Sequence, residues 1–490
     1  MFPLTVWIGD RKKFLKRFAV VLLILAALAF LATSWGVIRP PTDRHTSPLL
    51  VNDVSQLNPI TVDRVITPTT TAEIVAAVQE SRGPISIGGA RHSMGGQIAT
   101  AGALFIDMRS FDRILDFSQQ QKTITVQAGI RWRQIQTAID SANLSVKIMQ
   151  TFNSFTVGGA LSVNAHGRYV GLGPIIRSVR SLQVVLADGS LLDASPSHNA
   201  DVFYGVIGGY GGLGVITEVT LDLVDNVKVK RRHRAMPIAE YKQYFFDQIR
   251  GSSSAVFHNA DIYPDEYTQV DAATYSATSD PVTVQDRLIA TDQSYASERF
   301  LMWVASEWPF ANLIRRRVVD PIRLSSEPVT WRNYEASYDV AELEPSSRAD
   351  STYVLAEYFV PVERFDDFAG LMREVLRRRH VHVINVSVRH SSQDPGSLLA
   401  WARTEVFAFV IYYKQGTDDP AKQAVGVWTR ELTDAALSVG GSYYLPYQLH
   451  ATEEQFLRAY PRAGEFFALK KRLDPTNKFR NELWNKYYQP

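Results

Sequence analysis

The sequence predicts an α+β protein of two domains behind an apolar N-terminal helix. Three observations carry this reading. Between residues 58 and 227, short alternating β-branched runs interleave with helical spacing and glycine-rich turns. From Lys228 to Tyr447 the glycine loops vanish and aromatic residues rise, which marks a second domain with a different task. At 490 residues the chain also exceeds one ordinary core.

The elements follow in order. Phe18 to Ile38 is almost unbroken apolar sequence, and as a helix it spans ~30 Å, enough for a bilayer core. Arg11, Lys12, Lys13, Lys16 and Arg17 precede it, so residues 1–17 read as a cytoplasmic basic tail with the bulk of the chain outside. A cleaved signal peptide is the rival reading, matched weakly by Ala32-Thr33-Ser34. Residues 39–57 read as a linker, broken at Pro40-Pro41. Val62 to Ile66 is a predicted strand. Thr70 and Glu73 form a capping box for a helix through Ser81, and Ile85 to Ile87 is a short strand. Thr123, Thr125 and Gln127 alternate with apolar partners as in a strand, and Ile130 to Ala142 has helical spacing. Gln183 to Leu186 and Val215 to Leu223 are further strands, the first ending at the turn signal Asp188-Gly189. Ser297 to Leu324 sets Phe300, Trp303, Trp308 and Phe310 ahead of Arg315, Arg316, Arg317 and Arg323. It reads as second-domain helices with a solvated basic end, or as a segment lying on anionic lipid.

Composition excludes several classes of function. A net charge of +2 gives no basis for nucleic-acid binding. The absence of cysteine removes disulfides, thiolate chemistry and cysteine-ligated metals, and no metal site is expected.

The chemistry sits in two loops. Gly88 to Gln97, GGARHSMGGQ, is too glycine-rich for a packed strand or helix. Its backbone can take positive φ and present successive N–H groups as a phosphate cradle, with His92 beside it. Thr151 to Arg168, TFNSFTVGGALSVNAHGR, is again suited to close backbone approach. Together the two loops point to one large ligand carrying phosphates. Gly209-x-Gly211-x-x-Gly214 spells a dinucleotide fingerprint, but an alternating β-branched run follows where that fingerprint needs a helix. It is therefore read as a tight turn.

The pairing of GGARHSMGGQ with TVGGALSVNAHG and then GGYGGLGVIT resembles the FAD-binding (PCMH-type) domain of the vanillyl-alcohol oxidase family. The C-terminal run LDPTNKFRN, Leu473 to Asn481, resembles the segment that returns to the FAD domain in the aldonolactone oxidase / decaprenylphosphoryl-ribose oxidase-like branch. The resemblance implies a discontinuous FAD domain (58–227 with 448–490) and an antiparallel-sheet substrate domain (228–447). It implies that the backbone of Ser86, Ile87, Gly88, Gly89, Ala90, Arg91, His92, Ser93, Met94, Gly95 and Gly96 holds the FAD pyrophosphate. Thr151, Thr156, Val157, Gly158, Gly159, Val163, Asn164, Ala165, His166, Gly167, Ile216 and Tyr444 would line the rest of the cofactor. His92 falls where many members bond covalently to the flavin. The alternative is a loop histidine hydrogen-bonded to backbone.

The implied activity is oxidation of an alcohol carbon of a sugar, lactone or lipid-linked substrate by hydride transfer to flavin. Two alternatives stand beside it: a flavin-dependent reductase of a membrane lipid double bond, similar to sterol Δ24-reductases, and a non-catalytic FAD-binding scaffold anchored in the membrane. An alcohol needs a group to take its hydroxyl proton. Tyr447, Lys414 and His390 are the catalytic candidates, with Tyr412, Tyr444 and His450 as further polar residues. In the decaprenylphosphoryl-ribose branch a lysine stands where Tyr447 aligns, a departure that bears on substrate.

Overall fold

The computed structural model describes residues 47–264, 266–291, 293–307, 326–345 and 347–490. The expected membrane helix 18–38, and the part of Ser297 to Leu324 beyond Glu307, lie outside the described residues. Among those described, no helix is long and apolar enough to cross a membrane.

Local sequence builds the first half as expected. Helix Thr71–Glu80 starts at a capping box, with the Thr70 hydroxyl accepting from the Glu73 amide and the Glu73 carboxylate accepting from the Thr70 amide. It connects strand Arg64–Ile66 to strand Ile85–Gly88 in a small parallel sheet whose central strand is Leu104–Asp107. A larger antiparallel sheet has the order Leu191–Ala194, Val179–Val185, Val215–Asp225, Thr123–Gln127, Ile114–Ser118. The Asp188-Gly189 turn joins its first two strands, with Gly189 at φ +83°. The predicted helix over 130–142 is Trp132–Ile139 followed by a 3-10 turn, Asp140–Ala142. Gly209 to Gly214 follows helix Ala200–Val206 and leads into strand Val215–Asp225. That order reverses a dinucleotide fingerprint.

The expected linker is corrected over its described part, residues 47–57. Leu50–Val51 pairs with Ile60–Thr61, and Val51, Asp53, Ser55 and Leu57 are buried. These residues pack on the fold because Asp53 and Asn58 hold the glycine loop, as described below.

The second half is an eight-stranded antiparallel sheet, in the order Val329–Trp331, Lys228–Pro237, Gln269–Ala277, Ala255–Ile262, Val383–Ser391, Val406–Gly416, Ser351–Pro361, Ser442–Tyr443. Helices Phe365–Arg378 and Asp419–Ser438 cover one face. Phe409 packs on Phe365 and Phe368, and Tyr413 on Trp428, with ring centroids 4.8–5.2 Å apart. Because side chains alternate along a strand, Val410 and Tyr412 then point to the opposite face.

The C-terminus returns to the first half. The Ile85 amide donates to the Lys478 carbonyl at 2.6 Å, and the Arg480 amide donates to the Ile85 carbonyl at 2.9 Å. Asp474 accepts from the Lys478 and Phe479 amides and pairs with Lys470 at 3.0 Å, both side chains fully buried. The Lys470 ammonium also donates to the Gly212 and Phe479 carbonyls, so the run LDPTNKF is clamped through buried Asp474 and Phe479.

Candidate active site

A cavity with about 1670 Å³ of atom-free space, counting its open mouth, lies between the two halves. Its walls differ in chemistry.

The first wall is the glycine loop and residues 150–166. The amides of Ala90, His92 and Ser93 donate to no acceptor among the described residues, which leaves a row of N–H groups free for an anion. Arg91 holds φ +62° with its guanidinium on Asp107 at 2.8 Å. A non-glycine residue in that region is backbone strain kept by its surroundings. A Cβ on Gly89 would stand 2.2 Å from the Thr156 hydroxyl, and one on Gly158 would stand 2.9 Å from the Ala128 Cβ. The loop is held from both sides. Asp53 accepts from the Gly96 amide at 3.1 Å, and Asn58 donates to the Met94 carbonyl at 2.9 Å. Gln97 donates to the Leu445 and Tyr447 carbonyls, each at 2.7 Å.

His92 lies in this wall with its Nδ1 buried and without a partner, its ring edge-on to Phe155 at 4.5 Å. Burial, and then the charges of Arg131 and Arg348, lower its pKa to about 4, so the ring is neutral near pH 7. The Thr151 and Thr156 hydroxyls are buried and unpartnered in the same wall. Free amides, unpartnered buried polar atoms and positions that admit no Cβ together fit a pyrophosphate-bearing flavin cofactor. Ile87, Gly89, Ala90, Arg91, His92, Ser93, Met94, Thr151, Thr156, Gly158, Gly159, Val163, Ala165, His166, Ile216 and Tyr444 line the cavity. Ser86, Gly88, Gly95, Gly96, Val157, Asn164 and Gly167 stand behind it. Ser86 donates to the Arg480 carbonyl, and Asn164 to Asp394 at 2.6 Å.

The second wall is the open face of the eight-stranded sheet. Tyr353, Leu355 and Glu357 alternate along one strand, opposite Val410 and Tyr412 on the next, with Arg389 on a third. Glu357 is 3% exposed and both its oxygens are engaged. His166 Nε2 lies 2.6 Å from one, and the Tyr447 hydroxyl donates to the other at 3.1 Å. Tyr444 donates to the Val163 carbonyl at 2.8 Å and packs beside Tyr447. Burial first, then the Glu357 charge, push the Tyr447 phenol well above its ordinary pKa. Tyr447 is therefore a neutral donor, not a phenolate base. Burial lowers the Arg389 pKa, opposed by the Glu357 carboxylate.

Among the catalytic candidates, Tyr447 reaches the cavity and two do not. His390 follows Arg389 on the same strand, so the pleat sends it to the other face, where its Nε2 meets Glu405 at 2.7 Å beside Phe245. Lys414 lies in phase with Val410 and Tyr412 and opposite Tyr353, but it is not among the cavity-lining residues and is paired with Glu307. Sequence reasoning missed Glu357 and Arg389. Glu357 carries a signal: it is the lone charge in the apolar strand Ser351–Pro361, in phase with Tyr353 and Leu355. Arg389 carries none beyond that alternation.

Comparison with known proteins now decides the family. Residues 62–195 match the FAD binding domain, and residues 219–487, more than half of the chain, match D-arabinono-1,4-lactone oxidase. The chain belongs to the D-arabinono-1,4-lactone oxidase family. Among its relatives, decaprenylphosphoryl-β-D-ribose oxidase of Mycolicibacterium smegmatis is 22% identical over 465 residues, covering 90% of this chain and 95% of that protein. L-gulonolactone oxidase of Mus musculus is 23% identical, covering 85% and 92%. Cytokinin dehydrogenase 2 of Arabidopsis thaliana is 28% identical over 42% of each chain. This family member is an FAD-dependent oxidoreductase acting on CH–OH groups.

Proposed function

We propose that the enzyme oxidises an alcohol carbon of a sugar, sugar lactone or lipid-linked sugar, with Glu357 as acceptor of the hydroxyl proton. The observation that carries this reading is a buried carboxylate, braced by His166 and Tyr447, facing the amide cradle across one cavity. When bound, FAD supplies the acceptor for the hydride leaving the alcohol carbon. Residues 86–96 and 151–167, with Ile216 and Tyr444, would hold it. Glu357 is fixed by its two hydrogen bonds, so it meets the substrate hydroxyl without reorganising. Arg389 and Tyr447 bring positive charge and a hydrogen-bond donor to the same point. Tyr353, Leu355, Val410 and Tyr412 give the apolar surface on which a sugar face or an alkyl arm rests.

His92 is proposed as the covalent tether. Its unpartnered Nδ1 is kept neutral by its low pKa, so its lone pair is available for bond formation. Residues 18–38 are proposed to anchor the enzyme, with residues 1–17 cytoplasmic and the catalytic portion outside, the arrangement that suits a lipid-linked substrate. The FAD portion would comprise 58–227 with 448–490, and the substrate portion 228–447.

Two measurements test this reading. Acid-precipitated protein should keep its yellow colour, and His92→Ala should lose it; a colourless wild-type pellet removes the tether alone. Anaerobic D-arabinono-1,4-lactone should bleach the flavin where a nicotinamide donor does not. The reverse pattern would establish the reductase reading.

A further inference from the structure

Glu344 and Arg348 take no part in the proton transfer above, yet both line the same cavity as Glu357 and are half-buried. Arg348 Nη1 donates to the Thr352 hydroxyl and reaches the Tyr353 carbonyl at 3.4 Å. Thr352 donates in turn to the Ser55 carbonyl at 2.9 Å, so the guanidinium is held at the start of strand Ser351–Pro361. Among the described residues Arg348 forms no ion pair, and the Glu344 carboxylate accepts no hydrogen bond. The two feel each other's charge without bonding: burial raises the Glu344 pKa and Arg348 opposes the rise. Asp53, which also acts on Arg348, is already engaged by Gly96, Ser55 and Asn58. Tyr353 and Tyr412 line the cavity beside them, edge-on with ring centroids 5.6 Å apart.

This end of the cavity is remote from the reacting carbon. Tyr353 precedes Glu357 by four residues on one strand, about 13 Å of extended chain. A single lactone ring seated at Glu357 does not reach it. A half-buried charge with no partner is costly, so the groups left open here are for a ligand to satisfy. An alkyl arm would satisfy neither. A phosphate or carboxylate would meet Arg348 but face the charge of Glu344. A hydroxyl both donates and accepts, so neighbouring hydroxyls of a sugar satisfy carboxylate and guanidinium together, with the ring carbons against the tyrosines.

We propose that Glu344, Arg348, Tyr353 and Tyr412 form a second carbohydrate subsite, which takes a sugar attached to the one oxidised at Glu357. The proposal rests on the alcohol-oxidation reading above and deepens it: the substrate is a glycosylated sugar or lactone, not one with an alkyl arm.

Three derivatives of D-arabinono-1,4-lactone, carrying a glucosyl, an octyl or a phosphoryl group on the same hydroxyl, test the subsite beside the lactone itself. In anaerobic flavin reduction by the holoenzyme, the glucosyl derivative should show a KM about tenfold below the other three. Glu344→Gln and Arg348→Met should each remove that preference through KM and not kcat, at wild-type flavin content and melting temperature. Arg348→Lys should restore part of it. A wild-type preference for the octyl or the phosphoryl derivative overturns the carbohydrate assignment, and so does an undiminished glucosyl preference in both variants. If none of the four reduces the flavin, the alcohol-oxidation reading falls. Their dissociation constants, read from the perturbed flavin absorbance, then decide the subsite by the same order of preference.

Discussion

The wall formed by residues 88–97 and 156–167 presents mainly backbone to the cavity, whereas the strands Ser351–Pro361, Val383–Ser391 and Val406–Gly416 present side chains. The difference decides how each tolerates change. A backbone cradle constrains conformation: Gly95 admits no Cβ because the Tyr447 carbonyl would stand 2.3 Å from it. A sheet face constrains only alternate positions, so neighbouring residues on one strand serve unrelated ends. Arg389 faces the active site while His390 braces Glu405. Tyr412 lines the active-site cavity and Tyr413 packs on Trp428 on the other face. On the proposed reading the backbone wall would hold FAD and the side-chain wall would face the substrate.

Four expected outcomes test this contrast. The largest effect is on the backbone wall: Gly95→Val should reduce flavin absorbance per protein to background, because the clash is with backbone that cannot rotate away. Retention of flavin would show that the cradle is held by side chains after all. Next, Glu357→Gln should keep its flavin and lose at least about a hundredfold in the rate of lactone-driven flavin reduction. A change confined to KM would make Glu357 a binding group only.

Third, Lys470→Ala should leave Asp474 buried and unpaired, lowering stability by about 3–5 kcal/mol in denaturant unfolding. The C-terminal clamp on the first half should loosen before the eight-stranded sheet does. Smallest is a dependence on pH. The pKa values of His92 and His450 are lowered to about 4 and that of His258 to about 3, in each case mainly by burial. Below the ordinary value of 6.5 the unfolded chain takes up protons that the folded chain refuses. Stability should therefore fall as pH drops from about 6.5 through 4 and level off near 3, with no contribution from these groups above pH 7. Melting temperature against pH measures it, and His258→Leu should flatten the lower part of the curve.

The contrast also explains which parts of the site were legible in advance. The glycine loops announce themselves because few residues permit positive φ or such close approach, so GGARHSMGGQ and TVGGALSVNAHG could be read without their surroundings. Their exact lining was less legible. Ser86 and Asn164 turned out to bind neighbouring chain, because which atoms of a loop face the ligand depends on what packs behind it. In the sheet, His390 and Lys414 looked as apt as any polar residue. Strand phase excludes the first from the cavity, and the second is paired with Glu307 instead of lining it. Asp53 lay in a stretch that reads as a linker, since nothing local distinguishes a solvated Asp-Val-Ser from one folded onto Gly96.

The glycine-rich loops, the capped helix Thr71–Glu80 and the strand that follows Gly214 are written in short-range rules: backbone freedom, capping and period-2 alternation. The return of the C-terminal run to Ile85 is legible only through the family resemblance. Tertiary structure alone decided that Glu357, His166, Tyr447 and Arg389 converge. These four residues come from separate loops and strands up to 281 positions apart, and only the register of the eight-stranded sheet and the clamp at Asp474 place them at one point.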